Sequence, residues 1–122
     1  MGSVIPLKKE IDNSYIELKN LVGNKLDRVS QQIKYKLASE INLIQKMTSY
    51  HLESGGKRIR PLLTLGSAKL CGYINGSRDI NLAACTELIH NATLLHDDVI
   101  DNSDLRRGIK TSNTIWGNQS SI

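Results

Sequence analysis

Residues 80–102 read INLAACTELIHNATLLHDDVIDN, and this stretch decides the fold. Its apolar residues recur at spacings of three and four and cover more than one face of a helix. It has no alternation of apolar and polar residues of the kind that marks a half-buried strand. The pattern predicts a long helix from about Ile80 to Asn102, with Asp79 as its N-cap, that is largely buried among other helices.

Four further helical patterns precede this stretch. Apolar residues at helical spacing occupy residues 7–22, 26–37, 41–52 and 61–71. Pro61 suits the first turn of the fourth helix, where its missing N–H group costs nothing. No run of alternating residues typical of a strand occurs in the chain. The sequence therefore predicts an all-α protein of packed helices without a sheet, and no linker divides residues 1–122 into separate domains.

Composition narrows the range of partners. Of the 122 residues, 39% are hydrophobic and 23% charged, a balance typical of a globular domain. The formal net charge of +4 is concentrated in two short basic clusters rather than spread along a stripe. That distribution favours a small ligand with several negative charges over a nucleic acid.

The sequence also carries weak signals of location. No segment resembles a signal peptide or approaches the length of a membrane-spanning helix, so the expected location is the cytoplasm. Cys71 and Cys85 match no metal-binding or redox spacing and lie in apolar helical patterns. We expect both to be buried, reduced thiols.

An acidic motif, DDVID, occupies residues 97–101 at the end of the long helix. Asp97 and Asp101 share a helix face, where they repel each other and the negative end of the helix dipole. A hard divalent cation reverses this penalty, because Mg²⁺ accepts one or two carboxylates and completes its shell with water and substrate phosphate. Asp97 and Asp101 are therefore candidate Mg²⁺ ligands, although the motif alone fits a solvated acidic helix end better.

A segment rich in glycine and basic residues, GGKRIRP, occupies residues 55–61. Paired glycines let backbone N–H groups approach an anion, and Pro61 begins a helix behind them. Lys57, Arg58 and Arg60 add three cations within four positions. The combination suits a diphosphate, and its spacing differs from that of a nucleotide-binding P-loop.

Two more features lie near these motifs. His90 precedes Asp97 by two helical turns on the same face. It is a candidate hydrogen-bond donor to a phosphate group. Arg106 and Arg107 follow the acidic motif closely enough to neutralise the same ligand. Each has an ordinary alternative, since most helix histidines bind nothing and most arginine pairs in loops are solvated.

A different enzyme class is also compatible with part of the sequence. His96 and Asp97 form the HD doublet of metal phosphohydrolases, with His51 or His90 upstream. This alternative leaves the basic segment and the arginine pair unexplained.

Taken together, the motifs resemble those of the trans-prenyl diphosphate synthases of the polyprenyl or octaprenyl type. GGKRIRP at 55–61, LLHDDVID at 94–101 and RRG at 106–108 match in kind, order and approximate spacing, within residues 37–119. The resemblance implies an antiparallel helical bundle of the isoprenoid synthase type around a central cavity, with residues 1–122 as the single amino-terminal part of that domain. It also implies an amino-terminal fragment, because the family's second aspartate-rich motif is not in this chain.

The resemblance further assigns roles to residues. Those that would hold isopentenyl diphosphate are Lys57, Arg60 and His90, with help from Arg107. Those that would act on the allylic diphosphate are Asp97 and Asp101 as Mg²⁺ ligands, Asp98 as their support and Arg106 as a direct contact.

The implied reaction is condensation of isopentenyl diphosphate with an allylic prenyl diphosphate. In this family the residues four and five positions before the first aspartate line the tunnel for the growing tail. Here they are Thr93 and Ala92, whose small side chains imply a long all-trans product, around C40 or longer, of the kind used for quinone side chains. The complete enzyme is expected to be a homodimer and the isolated chain inactive. The alternative is a truncated or regulatory subunit that docks on a full-length synthase.

Overall fold

The computed structural model describes residues 7–38, 42–53, 56–106 and 108–122, and its regular structure is helical except for one short hairpin. Each of the five helices predicted from sequence is present, with ends within two residues of those predicted. The elements in chain order are α1 (Leu7–Val22), α2 (Lys25–Lys36), α3 (Asn42–Glu53), α4 (Ile59–Leu70), α5 (Arg78–Ile100), β1 (Leu105–Arg106), β2 (Ile109–Lys110), α6 (Ser112–Trp116) and α7 (Asn118–Ser121).

The hydrophobic core lies where α2, α4 and α5 meet, and α1 packs along α4. Val29 and Ile33 from α2 interdigitate with Leu62 and Leu65 from α4, and all four are fully buried. On α5 the residues facing this core include small alanines such as Ala83, which let the helices approach closely. This packing sets the beginning of α4 beside the middle of α5.

The end of α5 is a defined reversal of the chain. Asn102 has a φ of 51°, in the left-handed region, and its N–H group donates to the carbonyl oxygen of Val99 at 3.3 Å. The N–H group of Ser103 donates to the carbonyl oxygen of Asp98 at 2.9 Å. These two bonds form a Schellman motif, which satisfies the last carbonyls of the helix and turns the chain back toward it.

The predicted absence of a sheet is wrong for one small element. Strands β1 and β2 pair antiparallel, with Leu105 opposite Lys110 and Arg106 opposite Ile109. The base of the hairpin is closed by Thr111, whose hydroxyl donates to the carbonyl oxygen of Ser103 at 2.8 Å. Strands of two residues are too short to show the alternation by which a strand is predicted from sequence.

Two burial predictions are also wrong within the described residues. Helix α5 packs on α2 and α4 and also contacts α6 and α7, but Leu82, Ile89 and Ile100 remain 59%, 67% and 75% exposed. Cys71 and Cys85 are free thiols, as predicted, but both are exposed. Cys71 lies just past the end of α4, and Cys85 lies on the outer side of α5.

The start of α5 differs from the prediction as well. Ser77 rather than Asp79 is the N-cap residue. Asp79 lies within the first turn, where it is buried and forms an ion pair of 2.6 Å with Lys25 of α2. A carboxylate in this turn also interacts favourably with the helix dipole. None of the described helices is both long and apolar enough to cross a lipid bilayer.

Candidate functional site

Three of the predicted diphosphate-binding residues line one cavity of about 350 Å³. Lys57 and Arg60 lie at the beginning of α4, and His90 lies in the middle of α5. The packing of α4 on α5 brings these residues together although about thirty positions of sequence separate His90 from the other two. The two cations and the positive end of the α4 dipole make the cavity favourable for an anion.

The third cation of the basic segment, Arg58, has a different role. It adopts a left-handed backbone conformation with a φ of 54° immediately before α4. Its guanidinium Nη2 donates to the carbonyl oxygen of Leu26 at 2.7 Å and to the hydroxyl oxygen of Ser30. Arg58 lines the same cavity as Lys57 and Arg60, but its guanidinium group fastens the beginning of α4 to α2.

Tyr15 of α1 contacts the same segment. Its hydroxyl group donates to the carbonyl oxygen of Lys57 at 3.2 Å. The ammonium nitrogen of Lys57 also lies 5.7 Å from the centroid of the Tyr15 ring, within the range of a cation–π interaction.

The two predicted metal ligands lie at the far end of α5 from its first turn. Asp97 and Asp101 are both exposed, and the N–H group of Asp101 donates to the carbonyl oxygen of Asp97 at 2.8 Å. Asp97 follows His90 by seven residues, about 10 Å along the helix at roughly 1.5 Å per residue. The pair thus lies on the same helix as one wall of the cavity, two turns further on.

The donor set at this end of α5 fits a magnesium ion only in part. Two exposed carboxylates are the hard oxygen ligands that Mg²⁺ prefers. Within the described ranges, no group of three or more His, Cys, Asp or Glu side chains could hold a metal ion by itself. Asp97 and Asp101 therefore fit Mg²⁺ in a site completed by water and a ligand's phosphate oxygens.

Asp98 differs from Asp97 and Asp101 because it is buried. Its side chain is 2% exposed and forms a forked ion pair with Arg106 of β1. Arg106 Nη2 lies 2.6 Å from Asp98 Oδ1, and Nε lies 3.1 and 3.2 Å from the two carboxylate oxygens. The hydrogen bonds from Arg106 therefore tie the hairpin to the last turns of α5.

The charge of Arg106 is stabilised by this arrangement. Its hydrogen bonds to Asp98 raise the pKa of Arg106 above its ordinary value, and partial burial opposes that rise. The negative charges of Asp98, Asp97 and Asp101 raise the pKa further. Because the unperturbed guanidinium is already protonated at any physiological pH, Arg106 keeps its charge throughout that range.

Comparison with known proteins identifies the family. The model of the polyprenyl synthetase family matches residues 41–122, which is more than half of the chain. The chain belongs to the polyprenyl synthetase family.

Individual relatives agree with this assignment. This polyprenyl synthetase chain is 41% identical over 116 residues to the octaprenyl diphosphate synthase of Haemophilus influenzae, covering 95% of the chain and 35% of that protein. The structure of a decaprenyl diphosphate synthase from Rhodobacter capsulatus superimposes with a TM-score of 0.81 at 41% identity, covering 88% of this chain and 33% of that one. A polyprenyl synthase from Caulobacter crescentus, solved with calcium and isoprenyl diphosphate, gives 0.80 at 39% identity, covering 88% and 32%.

These comparisons confirm the resemblance and the all-α fold predicted from sequence. The chain spans about a third of the length of the curated relatives it matches. Membership of the polyprenyl synthetase family also removes the basis of the phosphohydrolase alternative. That alternative required His51 or His90 beside the HD doublet, and the His51 side chain lies outside what the structure describes.

The predicted site residues of this chain thus fall into separate groups. One group, Lys57, Arg60 and His90, lines the cavity, and a second, Asp97 and Asp101, lies two turns beyond it. Arg106 is held by Asp98, and Arg107 lies outside the described residues.

Sequence reasoning missed two residues near the cavity. Glu87 lines it one turn before His90 on α5, a spacing that places both on one face. Tyr15 contacts Lys57 although 42 positions of sequence separate them, and no local sequence pattern predicts such a contact. Only the helical period around each of them was visible in the sequence.

Alanine in place of Arg106 is expected to lower the free energy of unfolding of this chain by about 3 kcal/mol, because it leaves the buried Asp98 carboxylate without its partner. This value is the lower end of the destabilisation expected when a buried ion pair is broken, because the Arg106 side chain is 32% exposed. Urea denaturation followed by circular dichroism measures the change. Arg28→Ala removes an exposed arginine from α2 and is the matched control, with an expected change within about 0.5 kcal/mol. Equal losses in both variants would contradict a role for the ion pair.

Proposed function

We propose that this chain forms the substrate-binding part of a trans-polyprenyl diphosphate synthase, which condenses isopentenyl diphosphate with an allylic prenyl diphosphate. The observation that carries the proposal is the cavity lined by Lys57, Arg60 and His90, two helical turns from the Asp97–Asp101 pair on one continuous helix. Two anionic ligands, one at each place, would lie side by side along α5.

Isopentenyl diphosphate is assigned to the cavity. Lys57 and Arg60 supply charge-assisted hydrogen bonds, and His90 supplies a ring nitrogen. Arg107 is proposed to help bind the same diphosphate. The olefin of the substrate carries no charge, so these contacts serve to orient it rather than to activate it.

The allylic diphosphate is assigned to the Asp97–Asp101 end of α5. These two carboxylates would hold Mg²⁺, which when bound supplies positive charge to the departing diphosphate. The neighbouring structure solved with calcium and isoprenyl diphosphate supports a divalent cation in this family's fold. A guanidinium has five N–H donors, and the Asp98 contacts engage Nε and Nη2 of Arg106, so its Nη1 could meet the same diphosphate.

The reaction would begin with cleavage of the allylic carbon–oxygen bond, leaving an allylic cation and diphosphate. The isopentenyl double bond then attacks the cation, and a proton is lost from the adjacent carbon. Side chains of this chain contribute by placing both diphosphates and by withholding nucleophiles from the cation. Thr93, Ile89 and Leu82 continue from Asp97 along the exposed side of α5, and this mostly apolar surface would keep water away from the growing tail.

By the complete synthase we mean a protein that joins this chain to a carboxy-terminal segment, so that it has the length of its relatives. We propose that residues 1–122 are the amino-terminal part of its single domain, that it acts as a homodimer, and that its product is a long all-trans polyprenyl diphosphate. The 122-residue chain alone is expected to be inactive, because half of the cavity wall and the family's second aspartate-rich motif lie in that segment.

Alanine in place of Lys57 or Arg60 in the complete synthase tests the proposal. Either change is expected to raise the KM for isopentenyl diphosphate by roughly ten- to a hundredfold, because one charge-assisted contact contributes about 1.5–3 kcal/mol. The KM for the allylic substrate should change less. Steady-state incorporation of labelled isopentenyl diphosphate, with each substrate varied in turn, measures both constants.

The control for these variants is Lys46→Ala, which removes an exposed cation of α3 that does not line the cavity. It should leave both constants unchanged. An unaltered KM for isopentenyl diphosphate in both cavity variants would remove Lys57 and Arg60 from the site. Failure of the complete synthase to condense the two substrates would reject the proposed function itself.

A second candidate function is a non-catalytic subunit that docks on a full-length synthase. The exposed apolar side chains of Leu82, Ile89 and Ile100 on α5 favour it, because such a surface is usually covered. Adding the 122-residue chain to a full-length relative distinguishes the two candidates. A regulatory subunit would change the activity or product of the relative, whereas a synthase part would not.

A further inference from the structure

Tyr15 makes two contacts with Lys57, one of the residues that line the cavity. Its hydroxyl group donates to the backbone carbonyl of Lys57 at 3.2 Å, and the face of its ring lies 5.7 Å from the Lys57 ammonium nitrogen. The first contact holds the backbone of the segment before α4, and the second holds the far end of the side chain. Tyr15 belongs to α1, outside the residues 41–122 that the family model matches.

The position of α1 is fixed by close packing near this contact. Tyr15 and Leu18, one turn apart, both pack against the buried core. Gly66 of α4 is approached so closely by Leu18 that an added Cβ atom would lie 2.8 Å from its Cδ1 atom. The ring of Tyr15 is therefore carried by a helix that lies against α4, the helix whose beginning forms the cavity.

The opposite side of the same segment is held by Arg58, which donates to Leu26 and Ser30 on α2. Between these two attachments, Lys57 is exposed and lines the cavity. An exposed lysine has a long, flexible side chain that must lose rotamer freedom when it binds an anion. A ring that already holds the ammonium near one place reduces that loss.

We propose that Tyr15 is a positioning residue for the diphosphate cavity, and that α1 is thereby part of the substrate-binding site. This inference rests on the proposed function, since it assumes that Lys57 binds a diphosphate. Tyr15 acts through Lys57 and does not itself contact the ligand.

Titration of the 122-residue chain with inorganic pyrophosphate, without divalent cations and followed by NMR, tests the inference. Tyr15→Leu is expected to weaken pyrophosphate binding about two- to fivefold, the equivalent of a cation–π contact at an exposed site. Tyr15→Phe keeps the ring and loses only the hydroxyl donor, so it should retain most of the wild-type affinity for pyrophosphate. Lys57→Ala should weaken binding by roughly tenfold or more.

A spectroscopic signature separates positioning from general stability. In the wild type and in Tyr15→Phe, the ring current should shift the ε-methylene resonance of Lys57 from its position in Tyr15→Leu. Tyr35→Leu replaces a tyrosine on α2 that is 75% exposed and should change neither the shift nor the affinity. Thermal unfolding of each variant shows whether its fold is retained.

The possible outcomes distinguish the positioning role of Tyr15 from the proposed function. Wild-type binding that Lys57→Ala weakens and Tyr15→Leu does not would overturn the positioning role and leave the proposed function standing. Equal weakening by Tyr15→Phe and Tyr15→Leu would overturn the role of the ring. An absence of pyrophosphate binding by the wild-type chain would overturn this inference, whereas the proposed function is decided separately by condensation in the complete synthase.

Discussion

Asparagine in place of Asp97 or Asp101 in the complete synthase is expected to lower kcat by roughly a hundred- to a thousandfold, the scale on which loss of one transition-state stabiliser slows an enzyme. Both carboxylates are exposed at the end of α5 and are proposed to hold the cation that receives the departing diphosphate. Single-turnover measurements over a range of Mg²⁺ concentrations measure the effect, and the Mg²⁺ requirement should rise in each variant.

The same two changes should not weaken the fold. Asp97 and Asp101 repel each other and the negative end of the helix dipole, so removal of either charge should raise the free energy of unfolding by a few tenths of a kcal/mol. Substitutions that lower activity and raise stability together are typical of a functional site whose charges disfavour the folded state.

The same substitution at Asp98, which lies between them, is expected to have the opposite effect on stability. Its side chain is 2% exposed and bonded to Arg106, so Asp98→Asn should lower the free energy of unfolding by about 1.5–3 kcal/mol. Asp104→Asn, at an exposed position beyond the helix, should change neither kcat nor stability. Equal effects of all three substitutions in the acidic motif would contradict the separation that the structure makes among them.

The acidic motif shows how far the sequence determines the site. The spacing of Asp97 and Asp101 is enough to place them on one face of a helix, and the helix is predictable from its apolar period. The burial of Asp98 is not predictable in this way, because it depends on Arg106 in a hairpin whose two-residue strands have no readable pattern. The resemblance supplied a supporting role for Asp98, and the structure supplied its partner.

The basic segment shows a similar limit. Its glycines, cations and proline predict an anion site at the beginning of a helix, and the cavity that Lys57 and Arg60 line supports that prediction. The sequence does not separate Arg58 from its neighbours. That distinction depends on contacts with α2 that span 28 and 32 residues, and such contacts arise only when the helices pack.

The burial of α5 was overestimated for a related reason. Apolar residues on more than one face predict a helix enclosed on all sides, whereas the described residues leave Leu82, Ile89 and Ile100 exposed. A helical pattern indicates which residues suit an apolar environment and does not identify what provides it. The exposed side of α5 is the surface to which the proposed product tunnel is assigned.

Phenylalanine in place of Ala92 in the complete synthase is expected to shorten the product from around C40 or longer to about C15 or C20. Thr93 and Ala92 are exposed on α5, four and five residues before Asp97 and about 6 to 8 Å along the helix from it. A tail growing from a diphosphate at Asp97 would pass these small side chains after its first few isoprene units. A large ring there would block further extension, and chromatography of the dephosphorylated products measures the length.

A second position on the same face makes the test graded. Cys85 lies seven residues before Ala92, about 10 Å further from Asp97, and is exposed. Cys85→Phe should therefore stop the tail later than Ala92→Phe and give a product of intermediate length. Ala92→Ser keeps the side chain small and should leave the length unchanged. A C15 or C20 product from the wild type, or the same length from both phenylalanine variants, would contradict a tunnel that runs along α5 toward its first turn.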